Sequence, residues 1–143
     1  MSTILVTGSC GFVGKNLLHK LVNNKNYKII ATYHNQKPDI IFKNNNNLKF
    51  IKIDLNKKKH FSRLPNSINY IVHLAANRDS LLKSKEGENQ IFSNYNMTQN
   101  LLNFSNQIKC KYFIFFSSVY IYSGVNGTKF NESFTPLPRE PLG

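Results

Sequence analysis

Apolar and polar positions come in alternating blocks along the 143-residue chain. Ile4-Leu5-Val6 is a short apolar run that stops at a glycine-rich turn. A helical pattern follows, with Val13, Leu17 and Leu21 on one face and Gly14 and Leu18 beside them. Asn23-Asn24-Lys25-Asn26 reads as a turn into a second strand, Tyr27-Lys28-Ile29-Ile30-Ala31. Residues 36–48 read as loop, with Pro38 and the run Asn44-Asn45-Asn46-Asn47, which is given no role beyond turning the chain. Phe50-Ile51-Lys52-Ile53 is a third strand, and residues 57–64 suit a short helix before Pro65. Tyr70-Ile71-Val72-His73-Leu74 is a fourth strand, and its continuous apolar character suits a parallel strand covered on both faces. Over residues 85–107 the period turns helical, with Ile91, Tyr95, Thr98, Leu101 or Leu102, and Ser105 on one stripe. Tyr112-Phe113-Ile114-Phe115-Phe116 is a fifth strand ending at Ser117-Ser118, and residues 120–143 read as an irregular tail.

Five strands alternating with helices predict an α/β fold on a doubly wound parallel sheet, with right-handed crossovers and strand order 3-2-1-4-5. In such a sheet ligands sit beyond the carboxyl ends of strands one and four, where the winding reverses. The turn Thr7-Gly8-Ser9-Cys10-Gly11-Phe12-Val13-Gly14, then Ala75-Ala76 and Ser117-Ser118, fall at that edge. The turn has the chemistry of a phosphate seat. The first N–H groups of a helix have no partner within it, and the helix dipole adds positive potential there. Gly8 permits the tight turn, Gly11 lets the backbone approach a pyrophosphate, and Gly14 lets the helix pack close to its strand. The spacing G-x-x-G-x-x-G is one residue longer in its first gap than the usual dinucleotide fingerprint.

Composition narrows the partners. A hydrophobic content of 41%, with eleven Phe and seven Tyr, supplies the core of one domain. The net charge of +12 raises a nucleic-acid partner. Against it, Arg is scarce (Arg63, Arg78, Arg139), and the lysines are scattered except in Lys57-Lys58-Lys59-His60. The basic balance also suits an anionic sugar nucleotide. No apolar run is long enough to cross a membrane, and Cys10 and Cys110 suggest no disulfide framework, which fits a reducing cytoplasm. Cys10 lies near a helix N-terminus, a setting that lowers a thiol pKa. His73, inside an apolar strand, reads as a core histidine, and the histidines and cysteines show no metal-ligand spacing. After strand two no acid comes before Asp39, so His34 and Lys37 face either a 2′-phosphate or water, and the residues lean slightly to NADP over NAD while leaving both open.

Thr7-Gly8-x-x-Gly11-Phe12-x-Gly14, Asp54-Leu55, His73-Leu74-Ala75-Ala76, Asn94-x-x-x-Thr98-x-Asn100-Leu101-Leu102 and Ser117-Ser118-Val119-Tyr120-Ile121-Tyr122 occur in order. Together they resemble the extended short-chain dehydrogenase/reductase family, in particular its NAD-dependent nucleotide-sugar epimerases and dehydratases. The resemblance implies a Rossmann-type fold and a role for each motif. Gly8, Gly11, Phe12, Val13 and Gly14 would carry the pyrophosphate. Asp54 and Leu55 would meet the adenine. Leu74, Ala75 and Ala76, with Ser117, would lie along the path to the nicotinamide ribose. Asn94 would sit near the substrate, and Ser118 would be the catalytic hydroxyl that hydrogen-bonds the sugar oxygen. The residue reading keeps other uses open: Asp54 can cap a helix and Ser118 can end a strand. The long helix around Asn94 would pair two subunits, as in relatives, or face solvent. The family also uses a Tyr with a Lys four residues later, because an unperturbed phenol, with a pKa of ~10, is a poor base at neutral pH. Here Pro141-Leu142-Gly143 puts Leu142 where that Tyr is expected. The expectation is therefore an NAD(P)-binding domain over 1–143, ending before a sixth strand and a substrate domain and lacking the Tyr–Lys pair. A nucleotide sugar would then be a partner only with a substrate domain from elsewhere. A non-catalytic nucleotide-binding or protein-interaction module is the alternative.

Overall fold

The computed structural model of the chain describes residues 1–77, 84–127 and 129–139. Two compact units divide it: Met1–Ala76 with Asn96–Phe115, and Asn77–Tyr95 with Phe116–Gly143.

The first unit holds a five-stranded sheet: β1 (Ser2–Thr7), β2 (Tyr27–Tyr33), β3 (Leu48–Lys52), β4 (Tyr70–His73) and β5 (Tyr112–Phe115). Every pairing is parallel, and the order is β3-β2-β1-β4-β5. The predicted order is therefore the observed one. Leu5, Val6, Ile29, Ala31 and Ile71 are wholly buried, as central parallel strands covered on both faces must be. On one face Leu5, Ile30 and Ile71 pack with Ile53, Leu55, Phe61 and with Met97, Leu101 and Phe104 of the long helix α2 (Ser84–Gln107). On the other, Val6, Ile29, Ala31 and Val72 pack against Leu18 and Val22 at helix α1 (Phe12–Leu21). Helices on opposite faces are the doubly wound arrangement.

Several local expectations change. In α1 Gly14 and Leu18 are buried and Leu17 and Leu21 pack partly buried against the same cluster, whereas Val13 is 47% exposed. In α2 the predicted stripe holds at Leu101 and Ser105, which are buried, but Ile91 and Tyr95 are exposed, and Met97, Asn100 and Phe104 are buried beside it. The short helix expected over 57–64 is present as a 3-10 helix, Lys58–Arg63, and the loop after β2 contains a second one, Ile40–Phe42, that was not expected. The asparagine run does more than turn the chain. Asn47 Nδ2 lies 3.2 Å from the Val22 carbonyl oxygen and 3.4 Å from those of Asn24 and Tyr27, tying the end of α1 to the start of β2.

In the second unit the tail is partly ordered. Val119–Tyr122 forms a 3-10 turn, Tyr122 stacks on Phe130 at 5.4 Å, and Phe130 meets Phe134 edge-on at 5.9 Å. Gly124 N–H donates to the Leu137 carbonyl and Leu137 N–H to that of Ile121, both at 2.8 Å. Among the described residues no helix is long and apolar enough to cross a membrane.

Candidate functional site

The first turn is built by glycine where side chains would collide. Gly8 has φ +64°, and a Cβ there would lie 2.6 Å from Ala75 N and 2.7 Å from the Leu74 carbonyl carbon. A Cβ on Gly14 would strike the Gly8 carbonyl oxygen and sit 2.7 Å from Ser9 Cα. These two positions carry the turn and the close approach of α1 to β1. Gly11 differs. Its Cβ would meet only the Gly8 oxygen, at 3.3 Å, so the space above it is kept open by the missing side chain.

Ser9 anchors the turn. Its N–H and hydroxyl both donate to the Thr32 carbonyl at the end of β2, at 3.3 and 2.9 Å. Gly11 is the N-cap of α1, with no side-chain cap and no acid in the first helical turn. The donors at this helix end therefore face outward with the positive end of the dipole unneutralised. Phe12, 86% exposed, and Val13 stand at the same end. Cys10 is buried in the turn, and burial pushes its thiol pKa up, outweighing the Ser9 hydrogen bond and the Lys15 charge that lower it.

Asp54 follows β3. Its Oδ1 accepts from Asn56 N–H at 3.0 Å, while Oδ2 lies 3.6 Å from Lys57 Nζ and 3.9 Å from His34 Nε2. The N-cap of the next helical turn is Lys57, so Asp54 turns its own loop rather than capping a helix. His34, exposed after β2, faces this carboxylate. Leu55 packs in the core beneath α2, and its carbonyl receives Asn100 Nδ2 at 3.0 Å.

The exit of β4 is held by Thr7, for which the sequence suggested no such role, and by His73, buried and hydrogen-bonded as a core histidine should be. Thr7 Oγ1 accepts from Leu74 N–H at 3.2 Å and Ala75 N–H at 3.3 Å. It also meets His73 Nδ1 at 2.7 Å, and His73 Nε2 meets Thr98 Oγ1 at 3.1 Å. Burial lowers the His73 pKa to about 4, so the ring is neutral at pH 7. A hydroxyl closing an apolar strand at Thr7, opposite a histidine closing another, was the available signal.

In the second unit Asn94 holds the Asn77 backbone from both sides, its Oδ1 accepting the N–H at 2.6 Å and its Nδ2 donating to the carbonyl at 3.2 Å. Gln90 Nε2 donates to the same carbonyl at 2.6 Å. Asn94 is thus engaged with the chain just after Ala76. Ser118 is the N-cap of the 3-10 turn, its Oγ accepting Tyr120 N–H at 3.2 Å, and Ser117 beside it is exposed. Gly8, Asp54, Leu55, Leu74, Ala75 and Ala76 belong to one unit and Asn94, Ser117 and Ser118 to the other. Leu142, read in place of the family's Tyr, lies outside the described residues.

Comparison with known proteins gives these features a family. A family model described as the NAD dependent epimerase/dehydratase family matches residues 4–142. The Methanocaldococcus jannaschii protein MJ1055 is 30% identical over 141 residues, covering 90% of this chain and 43% of its own length. The UDP-glucuronic acid 4-epimerase of Bacillus cereus, solved in complex with NAD, is 28% identical with a TM-score of 0.82, covering 99% of this chain and 47% of that one. The UDP-glucose 4-epimerase of Thermotoga maritima, solved with UDP-glucose, is 28% identical with a TM-score of 0.80, covering 99% and 46%. The chain spans less than half the length of these relatives. With a family match across nearly every residue and a glycine turn seated where β1 meets α1, the chain belongs to the NAD-dependent epimerase/dehydratase family.

Proposed function

We propose that this chain binds NAD at the first turn and forms the cofactor-binding part of an enzyme that epimerises a nucleotide sugar. The observation that carries the reading is the open face of Gly11 above an uncapped helix N-terminus. A pyrophosphate needs close backbone donors, positive potential and no Cβ in the way, and this turn offers all three. When bound, NAD would accept and return a hydride. The chain's own residues then do the holding. Gly8, Gly11, Phe12, Val13 and Gly14 form the seat of the pyrophosphate: the Gly11 N–H is held by the Gly8 carbonyl at 3.0 Å, Gly11 leaves room for the approach, and the N–H groups of Phe12 and Val13 donate to the phosphates. The outer oxygen of Asp54, steadied by Lys57, accepts from the adenine amino group at the mouth beside Leu55. Leu74, Ala75 and Ala76 line the way to the nicotinamide ribose.

NAD is favoured over NADP because His34 faces the Asp54 carboxylate, which leaves it poorly placed to neutralise a 2′-phosphate. The solved Bacillus cereus relative also binds NAD. Ser118 is proposed as the hydroxyl that hydrogen-bonds the sugar. Its oxygen serves as acceptor for the turn, and its O–H remains the group that donates. A UDP-sugar is the substrate class, by analogy with the UDP-glucose and UDP-glucuronic acid 4-epimerases. Titration of the 143-residue polypeptide with NAD and NADP by calorimetry tests the reading. Heat on adding NAD, with weaker or no response to NADP, is expected. A folded sample silent to millimolar NAD would refute it.

A further inference from the structure

His73 closes β4 and is 1% exposed, with its ring between Thr7 on β1 and Thr98 on α2. A hydroxyl has one hydrogen to give and two lone pairs to receive. At Thr7 both lone pairs are taken, by Leu74 N–H and Ala75 N–H. Its hydrogen must therefore point at His73 Nδ1, which has to be an acceptor. The proton of the neutral ring is then on Nε2 and donates to Thr98 Oγ1. Phe113 and Phe115, with ring centroids 6.1 and 5.7 Å away, close over the imidazole.

The Leu74–Ala75 peptide that Thr7 receives is the same one that leaves no room for a Cβ on Gly8. One backbone segment is thus held from two adjacent residues of the first turn, and the direction of the Thr7 hydroxyl depends on the histidine tautomer. The opposite tautomer would aim an N–H at an oxygen whose lone pairs are already used.

We propose that His73 is a positioning residue: as the Nε2–H tautomer it orients the Thr7 hydroxyl, and through it fixes Leu74–Ala75 against Gly8 in the form that admits the dinucleotide. The dinucleotide part rests on the NAD reading above. The tautomer and the backbone positioning stand on the geometry alone.

The test uses the full 143-residue chain, labelled with ¹⁵N. Long-range ¹H–¹⁵N correlation should show His73 as the Nε2–H tautomer at neutral pH. In Thr7→Val the amides of Leu74 and Ala75 should lose hydrogen-exchange protection, while Ile29 and Ile30 in the sheet keep theirs. Thr7→Ser, which retains the hydroxyl, should restore both amides. NAD affinity should fall by about 10-fold or more in Thr7→Val and in His73→Phe and recover in Thr7→Ser. His73→Asn, whose Oδ1 can replace Nδ1 as acceptor, should keep the Leu74 and Ala75 protection even if His73→Phe does not fold. An Nδ1–H tautomer in the unsubstituted chain, or unchanged Leu74 and Ala75 exchange in Thr7→Val, would overturn the positioning role. Intact amide behaviour with no NAD binding by the unsubstituted chain would instead defeat the cofactor reading, and the dinucleotide part with it.

Discussion

Two alanine substitutions in the first turn should separate its structural task from its binding task. Gly14 lies inside α1, where Gly→Ala ordinarily gains about 1 kcal/mol of helix stability. Here the new Cβ would strike the Gly8 oxygen and sit 2.7 Å from Ser9 Cα, both backbone atoms. Neither can rotate away as a side-chain tip would, because Ser9 is tied to Thr32 by two hydrogen bonds. Forcing extra volume into such a contact costs about 1–3 kcal/mol, and more where backbone must move. The steric term wins, and Gly14→Ala should lose about 2 kcal/mol overall.

Gly11 has φ −72° and ψ 172°, ordinary for alanine, and its Cβ would press only lightly on one oxygen at 3.3 Å. The smaller unfolded-state entropy of alanine helps by about 0.4–1 kcal/mol, and its poorer N-cap preference offsets much of that. Gly11→Ala should therefore stay within about 1 kcal/mol of the unsubstituted chain. On the proposed seating its methyl would nevertheless stand in the path of the pyrophosphate, and NAD affinity should fall by at least about 10-fold, or 1.4 kcal/mol. Urea unfolding followed by circular dichroism measures the first quantity, and calorimetric titration with NAD the second. A Gly14→Ala chain as stable as the original would refute the packing argument. A folded Gly11→Ala chain that binds NAD undiminished would remove the turn as the pyrophosphate seat.

Leu101 is wholly buried among Leu5, Ile53, Leu55 and Phe104, so Leu101→Ala should cost about 2–5 kcal/mol in urea unfolding; a loss below about 1 kcal/mol would show that α2 does not close this core. Asn100→Ala leaves the Leu55 carbonyl without its buried donor and should cost about 1–3 kcal/mol by the same assay, an effect absent if solvent reaches that oxygen. Between pH 6.5 and about 4 the unfolded chain takes up a proton at His73 that the folded chain refuses, so stability rises with pH across this window. That group alone should remove about 3 kcal/mol on acidification from pH 7 to below 4, a slope that flattens in His73→Asn and is disproved if both proteins show the same pH dependence of unfolding.

The strand order was legible because each strand is a short apolar run and each connection is long enough for a crossover. Leu5, Ile30 and Ile71 on one face and Val6, Ile29 and Val72 on the other are all buried, so these strands carry no polar alternation to confuse the reading. The helix faces were less legible. Apolar periodicity weighs side chains by size, whereas α1 turns its smallest residue, Gly14, toward the backbone of the first turn so that the helix can come close. Val13 is rotated outward as a result. In α2 the reading followed Ile91 and Tyr95, yet Gln90 and Asn100 are the buried neighbours, drawn in by backbone carbonyls rather than by hydrophobicity. Asn47 escaped for a similar reason: its value lies in three carbonyls that only the folded chain brings together.

The candidate site shows why its residues looked ambiguous as a string of letters. At the carboxyl edge of a parallel sheet the strands end, and the backbone groups just past them have no ladder partner. Side chains have to supply one. Thr7 does so for Leu74 and Ala75, Asp54 for Asn56, Asn94 for both polar groups of Asn77, and Ser118 for Tyr120. The residue types that satisfy stranded backbone are short hydroxyl, carboxyl and amide groups, the same types that can hold a dinucleotide and a sugar. A backbone partner and a ligand are therefore not rival readings of Asp54 or Ser118. One Asp54 oxygen shapes the loop while the other faces outward between Lys57 and His34, and the Ser118 oxygen can receive from its turn while its hydrogen is given elsewhere. If these groups bind as proposed, each is preorganised by the bond that keeps its own stretch of backbone satisfied, and a substitution at any of them should be judged on both quantities at once.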